Sequence, residues 1–351
     1  MIYFGEIANS FYLWIMERIG FNKKEKKLLE KRIIDKSLKD IFSEAEIAES
    51  DGDFERAIEL FDSLLDSYSV AKLLPEEKRV LVHLCCMHIG NIYLGQDEIQ
   101  SALTYFKKAE KTEIDLNEAR KGIAMCYFRN GQYEKSIIVY SMLEDDENSK
   151  FFACFGKGVA LKAMGKNKEA KAWLLQAEEL EPDNQAVLYN LSHIEYLDEN
   201  NESALELINR ALEFEPDDAD TLYGKGMVLL AMHKYLNAVE VFNKVIERKP
   251  DFAELYCRKA DALRHLGRLD EAVYNYDLAL MKNISLSEAY YGKGIVLAQK
   301  GELKEALNIM DETISINDTF ADAYIGRSMI QMYFNEIEEG YYTDLNTSKL
   351  N

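Results

Sequence analysis

The sequence predicts an all-α protein, an α-solenoid of stacked antiparallel helix pairs with a 34-residue period. Three observations support this fold class. Small residues recur in two columns at that spacing, the apolar residues between them follow a helical period, and the 351-residue chain contains only four prolines. Regular recurrence over this length is typical of repeat arrays, in which one helix pair cannot bury its apolar faces without its neighbours.

The two columns of small residues fix the phase of the repeat. The first column lies in the first helix of each predicted pair, at Gly90, Ala124, Gly158, Ser192, Gly226, Ala260, Gly294 and Ser328. The second column follows twelve residues later, at Ala102, Ser136, Ala170, Ala204, Ala238, Ala272, Ala306 and Gly340. An upstream copy has Ala45 and Ala57 at the same separation, set off by 11 extra residues around SYSVAKLLPEE.

A single unit, residues 219–252, shows how the pattern gives a helix pair. Its apolar residues follow a helical period in two runs, with a break near His233, where sister units place glycines such as Gly165. Pro250 prevents the second helix from continuing. We expect Gly226 to let the two helices approach closely and Phe242 to fill the space beside them.

A short glycine-lysine-glycine motif resembles part of a phosphate-binding loop, but its recurrence argues against that function. It occurs as FGKG at 155–158 and as YGKG at 223–226 and 291–294, spaced by 68 and 68 residues. A P-loop occurs once, as GxxxxGK[ST] after a strand. The motif is therefore part of the repeat.

These features resemble the tetratricopeptide repeat (TPR) family over residues 38–351. The resemblance rests on the two columns, on the prolines at 182, 216 and 250, and on one column of large apolar residues: Phe61, Phe106, Tyr140, Leu174, Ile208, Phe242, Tyr276 and Met310. The sequence departs from the family pattern at Glu195 and Gln331, which occupy positions where an aromatic or apolar core residue is expected. The resemblance implies a right-handed superhelix in which the first helices line a concave groove that holds a partner segment.

The phase divides the chain into four parts. Residues 1–37 form an N-terminal helical segment, and 38–82 form the first, offset repeat with its insertion. Residues 83–320 hold seven repeats in phase, and 321–351 form a degenerate capping repeat whose second half is polar.

The resemblance assigns one stripe of the first helices to the groove. The predicted partner-binding residues are Phe155, Gly156, Tyr189, Asn190, His193, Tyr223, Gly224, Met227, Arg258, Asp261, Tyr291, Gly292 and Ile295. The glycines that follow the aromatic residues have two interpretations, which are close packing against the neighbouring repeat and room for a bound backbone. The Lys, Asn and Arg set with which some family members clamp a C-terminal carboxylate is absent, because Met125 and Gly156 occupy its asparagine positions.

The N-terminal stretch leaves several alternatives open. Residues 1–21 are amphipathic as a helix, with Phe11, Trp14 and Ile15 on one side, which suits internal packing, a dimer contact or a membrane surface. Residues 23–39 carry eight Lys/Arg against three acids, either as a solvated helix face or as a contact for an acidic partner or anionic lipid. No stretch has the roughly 18 uninterrupted apolar residues of a transmembrane helix.

Composition excludes several classes of function. The net charge of −20 disfavours nucleic-acid binding. Five irregularly spaced cysteines suit small core residues in a reducing cytoplasm, and HLCCMH at 83–88 spreads its metal-binding groups over different helix faces, so packing is favoured over a metal site. No catalytic motif or cofactor signature occurs outside the repeat phase.

The leading hypothesis is a non-enzymatic cytoplasmic scaffold or adaptor that binds a protein segment with apolar anchors and basic residues. The alternative is a structural or assembly protein that forms a homo-oligomer through its N-terminal helix or array ends. An enzyme or a small-molecule sensor ranks third.

Overall fold

The computed structural model describes residues 36–67 and 75–348, and all regular structure in these ranges is helical. The N-terminal apolar segment, most of the basic stretch and the core of the insertion at 68–74 lie outside the described residues. The helices are α1 (Lys36–Ser50), α2 (Phe54–Ser67), α3 (Pro75–Gly95), α4 (Ile99–Glu110), α5 (Leu116–Arg129), α6 (Tyr133–Ser141), α7 (Lys150–Ala163), α8 (Asn167–Leu180), α9 (Gln185–Leu197), α10 (Asn201–Phe214), α11 (Ala219–Ala231), α12 (Tyr235–Arg248), α13 (Ala253–His265), α14 (Leu269–Lys282), α15 (Ser287–Gln299), α16 (Leu303–Ile316) and α17 (Ala321–Ser348). The all-α prediction is confirmed.

The chain divides into two compact units, residues 1–194 and 195–351. In the first unit, every consecutive pair of helices from α1 and α2 through α7 and α8 packs together. In the second unit, the same holds from α10 to α17, and the first helices α11, α13, α15 and α17 also contact one another in sequence. Packing between neighbours in sequence is the arrangement expected of a helical repeat array, so each unit is a stack of helix pairs.

The turn inside each pair uses a residue with positive φ at a fixed phase. These residues are Gly52, Asp97, Gly131, Gly165, Glu199, His233, Gly267 and Gly301. At Gly165 the left-handed backbone lets its N–H donate to the carbonyl of Lys162 at 2.9 Å, while the N–H of Lys166 donates to that of Leu161 at 3.0 Å. Such bonds satisfy the last carbonyls of the first helix and reverse the chain. The predicted break near His233 is confirmed.

The core lies between the paired helices, where the small and large columns meet. A Cβ on Gly226 would lie 2.3 Å from Cε1 of Phe242, and one on Gly90 would lie 2.8 Å from Cε1 of Phe106. Phe106 and Phe242 are fully buried. Because the aromatic ring occupies the space of the missing side chain, the small residue is a packing requirement of the repeat.

The last helix differs from the pairs that precede it. The phase of the other turns places Asn335 at the break, yet α17 runs unbroken from Ala321 to Ser348. In its first half, α17 exposes a run of apolar side chains: Tyr324, Ile325, Met329, Met332 and Tyr333. Among the helices described, none combines the length and apolar character that a membrane span requires.

Candidate partner-binding surface

Two of the predicted residues of the first unit are part of the core. Phe155 on α7 is fully buried and stacks on Phe151, with ring centroids 5.8 Å apart. A Cβ on Gly156 would lie 2.3 Å from Cζ of Tyr140, which belongs to the second helix of the preceding repeat. The expectation that Phe155 and Gly156 face a groove is therefore wrong, because the neighbouring repeat already fills that space. Gly156 follows the first interpretation, close packing between repeats.

The other three residues of this unit lie together on α9. Tyr189 and Asn190 are buried, and His193 is half-buried. The amide of Asn190 donates through Nδ2 to the carbonyl of Ala186 at 2.7 Å and accepts at Oδ1 from Nζ of Lys162 at 2.5 Å. This bond joins first helices of successive repeats, because Lys162 lies on α7.

Lys162 is the residue of this cluster that sequence reasoning missed. Burial lowers the pKa of its ammonium from 10.5 to about 8. Burial, followed by the positive charge of Lys162, lowers the pKa of His193 to about 3, so the imidazole is neutral near pH 7. The available signal was a lysine four residues after the packing glycine Gly158, inside an apolar stretch of the first helix.

Tyr223 in the second unit is packed more tightly than expected. It retains 6% of its accessible surface, and its ring lies 6.0 Å from that of Phe242 and 5.4 Å from that of Phe252, which precedes the next first helix. The expectation that Tyr223 is open to the groove is wrong, because Phe252 at the start of the following repeat covers its ring. Gly224 and Met227, on the same helix α11, are half-buried.

A polar chain links α13 to its own second helix. Arg258 and Asp261 form an ion pair at 3.1 Å, and the hydroxyl of Tyr276 donates to Asp261 at 2.7 Å. Burial, then the charge of Asp261, raises the pKa of Tyr276, so the phenol remains a donor. A Cβ on Gly292 would lie 2.4 Å from Cζ of Tyr276, so Gly292, like Gly156, is required for packing.

The remaining predicted residues lie half-buried on α15. Tyr291 meets the edge of Phe320 at 5.4 Å between ring centroids. Ile295 packs against the apolar cluster that contains Met310. Met227, Asp261 and Ile295 thus form one row of half-buried side chains, spaced by 34 residues on the successive first helices α11, α13 and α15.

The cysteine and histidine residues of HLCCMH are packed in the array. Cys85 and Cys86 are buried, and burial raises the pKa of both thiols. Nδ1 of His83 lies 3.4 Å from the carbonyl of Ala109. Across residues 36–67 and 75–348, no three potential ligands among His, Cys, Asp and Glu come together as a metal site would require.

Three segments of the chain match the sequence profile of the tetratricopeptide repeat: residues 89–149, 155–219 and 223–285. Together they cover more than half of the 351 residues. The chain belongs to the tetratricopeptide repeat family. The predicted resemblance is therefore confirmed, and the TPR architecture is that of a protein–protein interaction scaffold, which is generally non-enzymatic.

Solved structures with the same fold accompany this match. A TPR protein from Parabacteroides merdae is 14% identical over 71% of this chain and 99% of its own, with a TM-score of 0.53. A thermophilic TPR protein of Thermus thermophilus is 18% identical over 52% of this chain and 99% of its own, with a TM-score of 0.44. YrrB, described as a TPR protein with an unusual peptide-binding site, is 20% identical over 56% of this chain and 97% of its own, with a TM-score of 0.44. No curated protein matches this TPR chain in sequence.

Proposed function

We propose that this TPR protein is a non-enzymatic scaffold or adaptor that binds a segment of a partner protein along its first helices. The observation that carries the proposal is the row formed by Met227, Asp261 and Ile295. These side chains alternate apolar, acidic and apolar character on three first helices that contact one another. An extended or helical segment along this row would meet a carboxylate with one apolar contact on each side of it.

The chemistry of the row indicates the kind of partner. Met227 and Ile295 offer apolar contact area, which supplies most of the affinity at protein interfaces. Asp261 favours a Lys or Arg of the partner, although that group would compete with Arg258, which lies 3.1 Å away. A chain of net charge −20 further favours a basic segment over nucleic acid. Buried thiols suit a reducing compartment, so we place the protein in the cytoplasm, which cell fractionation would test.

Matched methionine substitutions test the proposed surface. The wild type is used to capture its partner from native lysate, and the partner is identified by mass spectrometry. Met227→Ser should then weaken binding of that partner about tenfold, as expected for an apolar anchor. Met281→Ser, on the second helix α14 where the side chain is 82% exposed, should leave binding unchanged. Equal binding by both variants and the wild type would exclude this row as the site.

The exposed apolar face of α17 favours one alternative, an assembly protein that self-associates through the end of the array. Tyr324, Ile325, Met329, Met332 and Tyr333 are 45–65% exposed, and a second copy offers the same face for isologous pairing. At roughly 100 Å² for each side chain the contact is smaller than the ~800 Å² per partner of a standard interface, so this function ranks second. Light scattering compares the molecular mass of Met329→Asp in solution with that of the wild type. The substitution lowers the mass only if the wild type self-associates through this face of α17.

A further inference from the structure

Three lysines are buried among the residues that the structure describes, and all three lie on first helices of the first unit. Lys121, Lys157 and Lys162 retain 4%, 5% and 7% of their accessible surface. A buried ammonium is costly unless a negative charge and hydrogen-bond acceptors compensate it. The surroundings of the three groups therefore show whether each charge is satisfied within the chain.

Two of these lysines are compensated twice. Lys121 pairs with Glu118 at 2.5 Å and lies over the ring of Phe152 at 4.3 Å. Lys157 pairs with Glu144 and lies over the ring of Trp173 at 4.1 Å. The head of Lys157 is therefore enclosed in the array, with the side chain 6% exposed. A carboxylate and an aromatic face stabilise both cations inside the repeat array.

Lys162 has neither kind of compensation. Its ammonium donates to the neutral amide oxygen of Asn190 at 2.5 Å, and no carboxylate among the described side chains pairs with it. Burial is the whole cause of its lowered pKa. The nearby imidazole of His193 has a pKa of about 3 and supplies no negative charge. Among the side chains that the structure describes, Lys162 is therefore a buried cation without a counter-charge, in a chain whose net charge is −20.

The geometry leaves donors available for an external anion. A lysine ammonium has three N–H donors, and Asn190 accepts from one of them. Asn190 is itself fixed by its bond to the carbonyl of Ala186. His193, Ala163 and Met164, which lie beside Lys162 and Asn190 on α9 and at the end of α7, are half-buried.

We propose that Lys162, held by Asn190, forms a carboxylate-binding subsite that receives an acidic group of a partner segment bound to the first helices of the first unit. A carboxylate offers two acceptor oxygens for the two remaining N–H donors and supplies one negative charge, which matches the one uncompensated cation. The inference rests on the proposed function, since the acid belongs to a partner segment held on the first helices α7 and α9 of the first unit. It uses one lysine and one asparagine of two successive repeats, and so differs from the three-repeat clamp that this sequence lacks.

Acetate serves as the carboxylate probe, and neutral acetamide is its isosteric control. The full chain is labelled with ¹³C at the lysine ε-carbon, and the Lys162 resonance is assigned by its loss in Lys162→Gln. In acetate the measured pKa of Lys162 should rise by at least one unit over its value in acetamide at equal ionic strength, a tenfold coupling between proton and anion. Equal values in acetate and acetamide would overturn the subsite.

A second variant keeps the lysine and fills the site from within. Asn190→Asp places a carboxylate where Oδ1 now accepts from Lys162, so the acetate response should disappear while the Lys162 resonance remains. An acetate response of wild-type size in Asn190→Asp would place the anion elsewhere and overturn the assignment. If Lys162→Gln does not fold, the acetate response of Asn190→Asp still tests the proposed subsite.

Capture of the native partner distinguishes a protein carboxylate from a free small acid. Lys162→Gln and Asn190→Asp should each weaken partner binding about tenfold, with Met281→Ser as the unchanged control. An acetate response without any loss of partner binding would assign the site to a free small acid and overturn the proposal. If acetate has no effect while Met227→Ser still weakens binding, the subsite fails and the proposed scaffold function stands.

Discussion

The hydroxyl of Tyr276 donates a 2.7 Å hydrogen bond to Asp261, across the helix pair that the two residues belong to. The ring that carries this hydroxyl also fills the space left by Gly292 in the next repeat, where a Cβ would lie 2.4 Å from Cζ. One side chain thus packs against the following repeat and holds a carboxylate of the proposed binding row. Packing between repeats and the proposed surface are therefore coupled at Tyr276.

Gly292→Ala should destabilise the protein by about 1–3 kcal/mol, because the added methyl group overpacks against the ring of Tyr276. Chemical denaturation gives the change in the free energy of unfolding. Combining it with Tyr276→Leu should reduce the cost of the alanine, because the shorter side chain resembles Leu174, which occupies the same column in α8. If the two changes in the free energy of unfolding are strictly additive, the contact between position 292 and the ring of Tyr276 is contradicted.

Tyr276→Phe should cost about 1 kcal/mol, because Asp261 loses a buried donor while the ring is kept. The matched control is Tyr274→Phe on the same helix, where the side chain is 63% exposed and the change should be near zero. Thermal denaturation followed by circular dichroism compares the two variants. Equal melting temperatures would show that the hydrogen bond does not contribute to stability.

Tyr223→Ala should destabilise the array by about 3–5 kcal/mol, because it removes a buried ring that packs against Phe242 and Phe252. Tyr274→Ala, at an exposed site on a second helix, should cost far less. Urea denaturation measures both. If Tyr223→Ala unfolds at the same urea concentration as the wild type, the ring is not part of the core, and its predicted role in partner contact regains support.

Stability should rise with pH on account of Lys162. Its pKa is lowered from 10.5 to about 8 in the folded chain, so between these values the unfolded state binds more protons and the free energy of unfolding increases with pH. The full shift corresponds to about 3 kcal/mol. Lys162→Met removes this contribution, so the difference between the variant and the wild type should change across this window.

Denaturation at pH 7.5 and 10 measures that difference. Lys166→Met, at the exposed turn that follows α7, is the control for the loss of one lysine. A difference between Lys162→Met and the wild type that is the same at both pH values would show that the ammonium is not destabilised by burial.

The periodicity of the sequence determined the helix pairs, the positions of their turns and the identity of their cores. A small residue such as Gly226 and a large one such as Phe242 must meet whenever two helices of this phase fold back on each other, because the ring fills the space that the missing side chain leaves. These features depend on residues that are close together in the sequence, so one amino-acid sequence is enough to predict them.

Only the tertiary structure decided which side chains of the first helices remain accessible. Spacing placed Phe155 and Tyr223 on the stripe that faces the groove, yet both are buried, and Phe252 of the following repeat packs against Tyr223. It also placed Lys162 on a helix without showing that α9 would bring Asn190 within 2.5 Å of it. Burial at these positions depends on how closely successive pairs stack, a distance set by the packing of all their side chains together.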